Sequence, residues 1–217
     1  MRRWGIISAT LLLAACIPSP GGRPPPTPAP PPQAPAAPSD QATRQCHADL
    51  RRDRVEFKIL PDRHYPGGCS ILGAVQLLDI GTPVTNLGAL TCPLARSFAE
   101  WTRAAVQPAA RAWLGGEVVR IESFGSYSCR PVNGQAGNRL SEHGRANAVD
   151  IAAFVLADGR RITVLDGWNG RDEKTRKFLR AVHNAGCRRF QITLGPESNG
   201  YHRDHFHFDM GRGPYCR

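Results

Sequence analysis

No two cysteines in this 217-residue chain stand at C-x-x-C spacing, which argues against a zinc-thiolate cluster. The N-terminal apolar run from Trp4 to Ala15 falls short of the ~20 residues a helix needs to cross a bilayer. No internal repeat is visible, and no nucleic-acid motif accompanies the positive charge. Nothing speaks for a serine nucleophile either, since an acyl-enzyme route needs a base and an oxyanion hole around the hydroxyl. What the chain does have is a formal charge of +10, seven cysteines and a proline-rich stretch near its start.

Met1-Arg2-Arg3 followed by the short apolar run has the layout of an export signal. Leu13-Ala14-Ala15-Cys16 resembles the lipobox of bacterial lipoproteins. The resemblance implies cleavage after residue 15, diacylation of Cys16 and a lipid anchor in the membrane. Ile17 rather than Asp follows Cys16, which in such lipoproteins goes with the periplasmic face of the outer membrane. Losing Arg2 and Arg3 with the signal leaves 26 basic against 18 acidic residues, and a net positive surface favours anionic partners. Behind a lipobox those partners are cell-wall polymers and lipid headgroups, not nucleic acid.

Residues 16–40 then form a linker dominated by Pro and Ala, with Pro24-Pro25-Pro26 and Pro30-Pro31-Pro32. Such a stretch has little to bury and reads as a polyproline II spacer of about 20 residues, spanning on the order of 60 Å. One domain is expected over residues 41–217. Its six remaining cysteines, Cys46, Cys69, Cys92, Cys129, Cys187 and Cys216, suit disulfides in an oxidising compartment. Six cysteines allow fifteen pairings. The expectation adopted is Cys46 with Cys69, Cys92 with Cys129 and Cys187 with Cys216.

Pro93 suits a first helical turn, and Leu94, Phe98, Trp101 and Ala105 follow at helical spacing, with Pro108 interrupting and Gly115 ending the helix. A second helix is expected from about Asp172 to Asn184, burying Phe178, Leu179 and Val182 and stopped by Gly186. Strand-like runs cover Val118 to Ile121, Asp150 to Phe154, Ile162 to Leu165, Gln191 to Leu194 and Phe206 to Met210. Helices first and strands later point to the α+β class around a mainly antiparallel sheet.

Two segments carry metal-ligand residue types: Ser141-Glu142-His143 through Val149-Asp150, and Asp204-His205-Phe206-His207-Phe208-Asp209. In a strand, His205, His207 and Asp209 share one face while Phe206 and Phe208 share the other, so the rings enter the core and the histidines line a cleft. Ala148, Asp150 and Ala152 likewise share a face, with small residues beside the carboxylate. Two imidazoles and one carboxylate leave a tetrahedral zinc with an open position, the arrangement of a catalytic site.

The pattern S-x-H-x6-D followed by a D-x-x-H or H-x-H segment resembles that of a zinc peptidase superfamily. Its members include D-alanyl-D-alanine carboxypeptidases, L-alanyl-D-glutamate peptidases, lysostaphin-like endopeptidases and the hedgehog signalling domain. From Cys46 to Arg217 the chain is more closely similar to the bacterial extensin-like C-terminal domain family. The words that carry this are Gly125-Ser126-Tyr127-Ser128-Cys129-Arg130, Ser141-x-His143, Ala148-Val149-Asp150-Ile151, Leu194-Gly195-Pro196 and the segment ending at Asp209. The resemblance implies a hedgehog/DD-peptidase-like fold whose sheet carries a zinc ion on His143, Asp150 and His207. It implies Asp204 as the general base, taking a proton from the attacking water and returning it to the leaving amine. His205 then serves as a stabiliser, or as the base itself by the H-x-H pattern. Strict alternation turns Asp204 away from His207 unless the strand starts after it.

Arg130 lies where carboxypeptidase branches carry an arginine that binds substrate or developing negative charge. Tyr127 and His202 are candidate substrate-binding residues, while Ser141 is positional. His47, His64 and His183 are taken as surface or packing residues, and Trp168 as core. The function implied is a zinc metallopeptidase cutting peptide bonds in peptidoglycan stems or cross-links, with a protein activator left open. The presence of Asp rather than Glu at 204 leans towards the L-alanyl-D-glutamate type. The alternative is a non-catalytic, zinc-stabilised wall-binding or signalling module.

Overall fold

The computed structural model describes Met1 and residues 38–217. The signal segment, Cys16 and nearly all of the Pro/Ala linker lie outside the described residues. The fold is mixed α+β, but helices and strands interleave along the chain. The expected run of helices followed by strands does not hold, because short strands before residue 92 carry too little apolar pattern to be read.

A helix unread in the sequence, Asp40–Arg52, opens the domain. Ser39 caps it by accepting from the Ala42 N–H, Asp40 sits in its first turn, and Arg51 and Arg52 sit in its last. Those placements suit the helix dipole. A three-stranded antiparallel sheet follows, in which Ala74–Asp79 lies between Glu56–Ile59 and Leu90–Thr91. It returns the chain to the first helix, so Cys92 bonds to Cys46, and Cys69 pairs with Cys129 instead, at Cα separations of 6.1 and 5.7 Å. The expected Cys46–Cys69 and Cys92–Cys129 pairings are therefore wrong, since neighbours in sequence are carried apart by the strand order. Cys187–Cys216 forms as expected.

Cys92–Trp101 is helical with Pro93 in its first turn, and Leu94, Phe98 and Trp101 are buried as the spacing requires. Pro108 does not interrupt it. The backbone stays helical and widens into π turns at Thr102–Val106 and Ala110–Leu114, with the Gln107 N–H bonding the Thr102 carbonyl five residues back. Widened turns of this kind absorb a residue that has no N–H to offer. Gly115, at φ 70°, ends the run in the left-handed region.

The main sheet runs in the order Tyr215–Cys216, Ile192–Leu194, Phe206–Asp209, Ala148–Leu156, Val118–Gly125, Val84–Thr85. Arg161–Thr163 also pairs with Ala148–Leu156. The two outermost pairings are parallel and the others antiparallel. All nine residues of Ala148–Leu156 are buried. The expected strand to Leu165 stops at Thr163, whose Oγ1 accepts from the Asp166 N–H and starts the short helix Val164–Gly167.

Helix Glu173–Gly186, capped by Asp172, buries Phe178, Leu179 and Val182. It is joined to the Pro93 helix by a 2.9 Å hydrogen bond from Trp101 Nε1 to the Val182 carbonyl. Trp101 meets Phe208 edge-on at 5.0 Å, and Phe190 stacks on the same ring at 4.5 Å. Aromatic contacts of this geometry add to the area term of burial. Trp168 is core, its face covered by Arg180 at 4.3 Å and its edges against His183 and Phe206. His47 and His183 are buried packing residues and His64 is exposed.

Candidate metal centre

With Phe206 and Phe208 buried in this core, the residue between them must face the other side of the sheet. The register sets His207 directly opposite Asp150 on the neighbouring antiparallel strand. His143 comes from a tight turn, Glu142–Arg145, just before the Asp150 strand; Ser141 opens the turn by accepting the His143 N–H.

The three side chains converge. His143 Nε2 lies 3.1 Å from Asp150 Oδ2 and 3.2 Å from His207 Nδ1, and His207 Nδ1 lies 2.9 Å from Asp150 Oδ1. Each imidazole is held from behind. His143 Nδ1 donates to the Ser126 carbonyl at 2.9 Å, and His207 Nε2 donates to Asp209 Oδ2 at 2.8 Å. Held this way, both rings turn a lone pair towards a buried carboxylate, and only a cation reconciles the three acceptors. In the metal-free chain a proton does so. Burial disfavours charge on His207, but its hydrogen bonds to Asp150 and Asp209 outweigh burial and raise its pKa from 6.5 to about 9. Burial would raise the Asp150 pKa, yet the two imidazoles beside it, His143 and His207, hold that carboxyl well below its ordinary value. The donor set, with its backing partners, fits a divalent metal of the zinc type. A second grouping, His183 with Cys187 and Cys216, has both sulfurs tied in a disulfide.

A cleft of about 340 Å³ reaches His143 and Asp150, with Phe124, Tyr127, Arg130, Tyr201, Asp204 and His205 among its walls. The strand begins at Phe206, so alternation does not govern Asp204, and both it and His205 line the cleft. Asp204 Oδ1 accepts from His205 Nδ1 at 2.8 Å, leaving His205 Nε2 directed inward, 3.5 Å from Asp150 Oδ1. The Arg130 guanidinium is half-exposed and 3.8 Å from Asp150 Oδ2. Tyr127 packs against Tyr65 at 5.8 Å.

His202, expected as a substrate-binding residue, is not among the residues that line the cleft. It is buried behind the site, with its ring 5.1 Å from His205 and 5.6 Å from His207, and Nδ1 on Asn199 Oδ1 at 2.8 Å. Burial first, then the neighbouring His207 and His205, lower its pKa to about 4. These are contacts in space with His205 and His207, which residue spacing does not reveal.

Sequence reasoning missed three contributors. The Ser126 carbonyl is backbone and leaves no side-chain signal. Phe124, exposed and edge-on to His205 at 5.6 Å, and Tyr201 stand at the cleft without a motif.

Fold and site together define an α+β domain whose sheet presents a buried two-histidine, one-aspartate cluster at the base of a polar cleft. The chain belongs to the extensin-like family: the model described as "Extensin-like protein C-terminus" matches residues 44–217. No curated protein and no solved structure gives a significant match.

Proposed function

We propose that the chain is a zinc-dependent peptidase that hydrolyses peptide bonds in the stems or cross-links of peptidoglycan, exported and lipid-anchored through Cys16. It is read as a relative of the hedgehog/DD-peptidase superfamily. The observation that carries this reading is the convergence of His143 Nε2, an Asp150 oxygen and His207 Nδ1, all within 4.8 Å of one another, beside a cleft furnished with an acid–base pair and an arginine.

His143, Asp150 and His207 would hold the ion. When bound, zinc polarises a scissile carbonyl and makes a water nucleophilic near neutral pH. The remaining steps belong to the chain. His205 and Asp204 act as a unit: His205 Nε2 faces inward, and Asp204 on Nδ1 fixes the ring. The pair takes a proton from the attacking water and returns it to the leaving amine. Arg130, at the cleft wall beside Asp150, suits a stem-peptide carboxylate or the negative charge that develops on the carbonyl oxygen.

The test is release of peptides from purified peptidoglycan by the zinc-loaded protein, read by mass spectrometry. His207→Ala should abolish product, and Asp204→Ala and His205→Ala should each slow release on the order of 100-fold or more at unchanged zinc content. Stoichiometric zinc with no product would reject the peptidase and favour the wall-binding module.

A further inference from the structure

Histidine can offer a metal either ring nitrogen, and which one is free depends on what the other nitrogen bonds. At His207 the choice is made by Asp209, two residues on in the same strand. Asp209 is buried, one of its carboxylate oxygens accepts from His207 Nε2 at 2.8 Å, and the other accepts from the Gly211 N–H at 2.8 Å. Residue 211 is held to glycine by that approach, because a Cβ there would lie 2.9 Å from Asp209 Oδ1 and 3.1 Å from Glu142 Cγ. The carboxylate therefore cannot turn away from His207 without losing its second partner. The two histidines differ in this respect, since His143 is backed by the neutral Ser126 carbonyl. A carboxylate behind an imidazole fixes its tautomer and makes the free nitrogen a stronger donor.

Resting on the metal reading above, we propose that Asp209 is a positioning residue for that site: it locks His207 as the Nε2–H tautomer so that Nδ1 is the ligand atom, and strengthens that nitrogen as a donor. Asp209 acts through His207 and touches neither ion nor substrate.

The experiment measures zinc affinity of the full-length chain by chelator competition, for wild type, Asp209→Ala, Asp209→Asn and His207→Ala. Melting of each metal-free protein is recorded alongside. Long-range 1H–15N NMR of the zinc-loaded protein reads the His207 tautomer. The expected result is Nε2–H in the wild type and an affinity loss of roughly 10- to 100-fold in both Asp209 variants, whose metal-free melting falls with the lost Asp209–His207 pairing but stays above the assay temperature. Asp209→Asn keeps the side-chain volume and carries the test if the alanine variant does not fold. Zinc affinity equal to the wild type's in a folded Asp209 variant, or an Nδ1–H tautomer in the wild type, overturns the proposal. Wild type that binds zinc no better than His207→Ala overturns the metal reading itself, so the two failures are told apart.

Discussion

Raising the pH of the metal-free chain from 6 to 10 should weaken it in a defined window. In the folded state His207 lies between the Asp150 and Asp209 carboxylates, and its pKa stands at about 9 against an ordinary 6.5. A raised folded-state value means that the folded state binds the proton more tightly than the unfolded chain does. The resulting stability is fully present below pH 6.5 and is lost as pH rises to about 9. The difference between the two values corresponds to roughly 3 kcal/mol. That is a large share of the 5–15 kcal/mol typical of a domain. Urea unfolding in the presence of a chelator, repeated at half-unit pH steps with disulfides intact, measures it. Zinc-loaded protein should lack the decline, because a coordinated His207 must already have given up that proton. Equal stability of the metal-free chain at pH 6 and pH 9.5 would refute the reasoning, as would an identical decline in His207→Ala.

Two further predictions address the scaffold. A Cβ at Gly186 would lie 2.6 Å from the Phe208 ring, which is also stacked on Phe190. Gly186→Ala should therefore cost on the order of 1–3 kcal/mol in urea unfolding, and an unchanged midpoint would show that the helix can lift away freely. Peptide mapping of unreduced protein should recover Cys46–Cys92 and Cys69–Cys129 linkages. Replacing the first pair by alanines should lower stability by roughly 4 kcal/mol for a cross-link of 46 residues' separation; recovery of a Cys46–Cys69 peptide would contradict the strand order described.

Much of the site was legible because the relevant patterns are local. The Phe206 and Phe208 alternation with His205, His207 and Asp209 has a period of two and assigns faces without tertiary information. The stripe of Phe178, Leu179 and Val182 behind Asp172 announces a helix in the same way. His143 and Asp150 stood out by residue type, and the family resemblance added Ser141 and the spacing that joins the three.

Other features depend on contacts between distant segments. Local propensity did not stop Pro108 from lying within a helical run, because packing against the helix Glu173–Gly186 holds that run together. Cysteine partners follow strand order, which places Cys92 beside Cys46 and Cys69 beside Cys129. Alternation alone turned Asp204 away, whereas the strand begins only at Phe206, and the preceding loop brings Asp204 and His205 to the cleft together. By itself the sequence determined which residues are able to bind a cation and which face of their strand they occupy, since both follow from side-chain chemistry and the geometry of one strand. Only the tertiary structure decided that Asp150 stands opposite His207, that Ser126 and Asp209 aim the two rings, and that His202 packs behind them. The first follows from register between strands whose paired residues are 57 apart in the chain, and the others from close packing of side chains, neither of which one strand's alternation specifies.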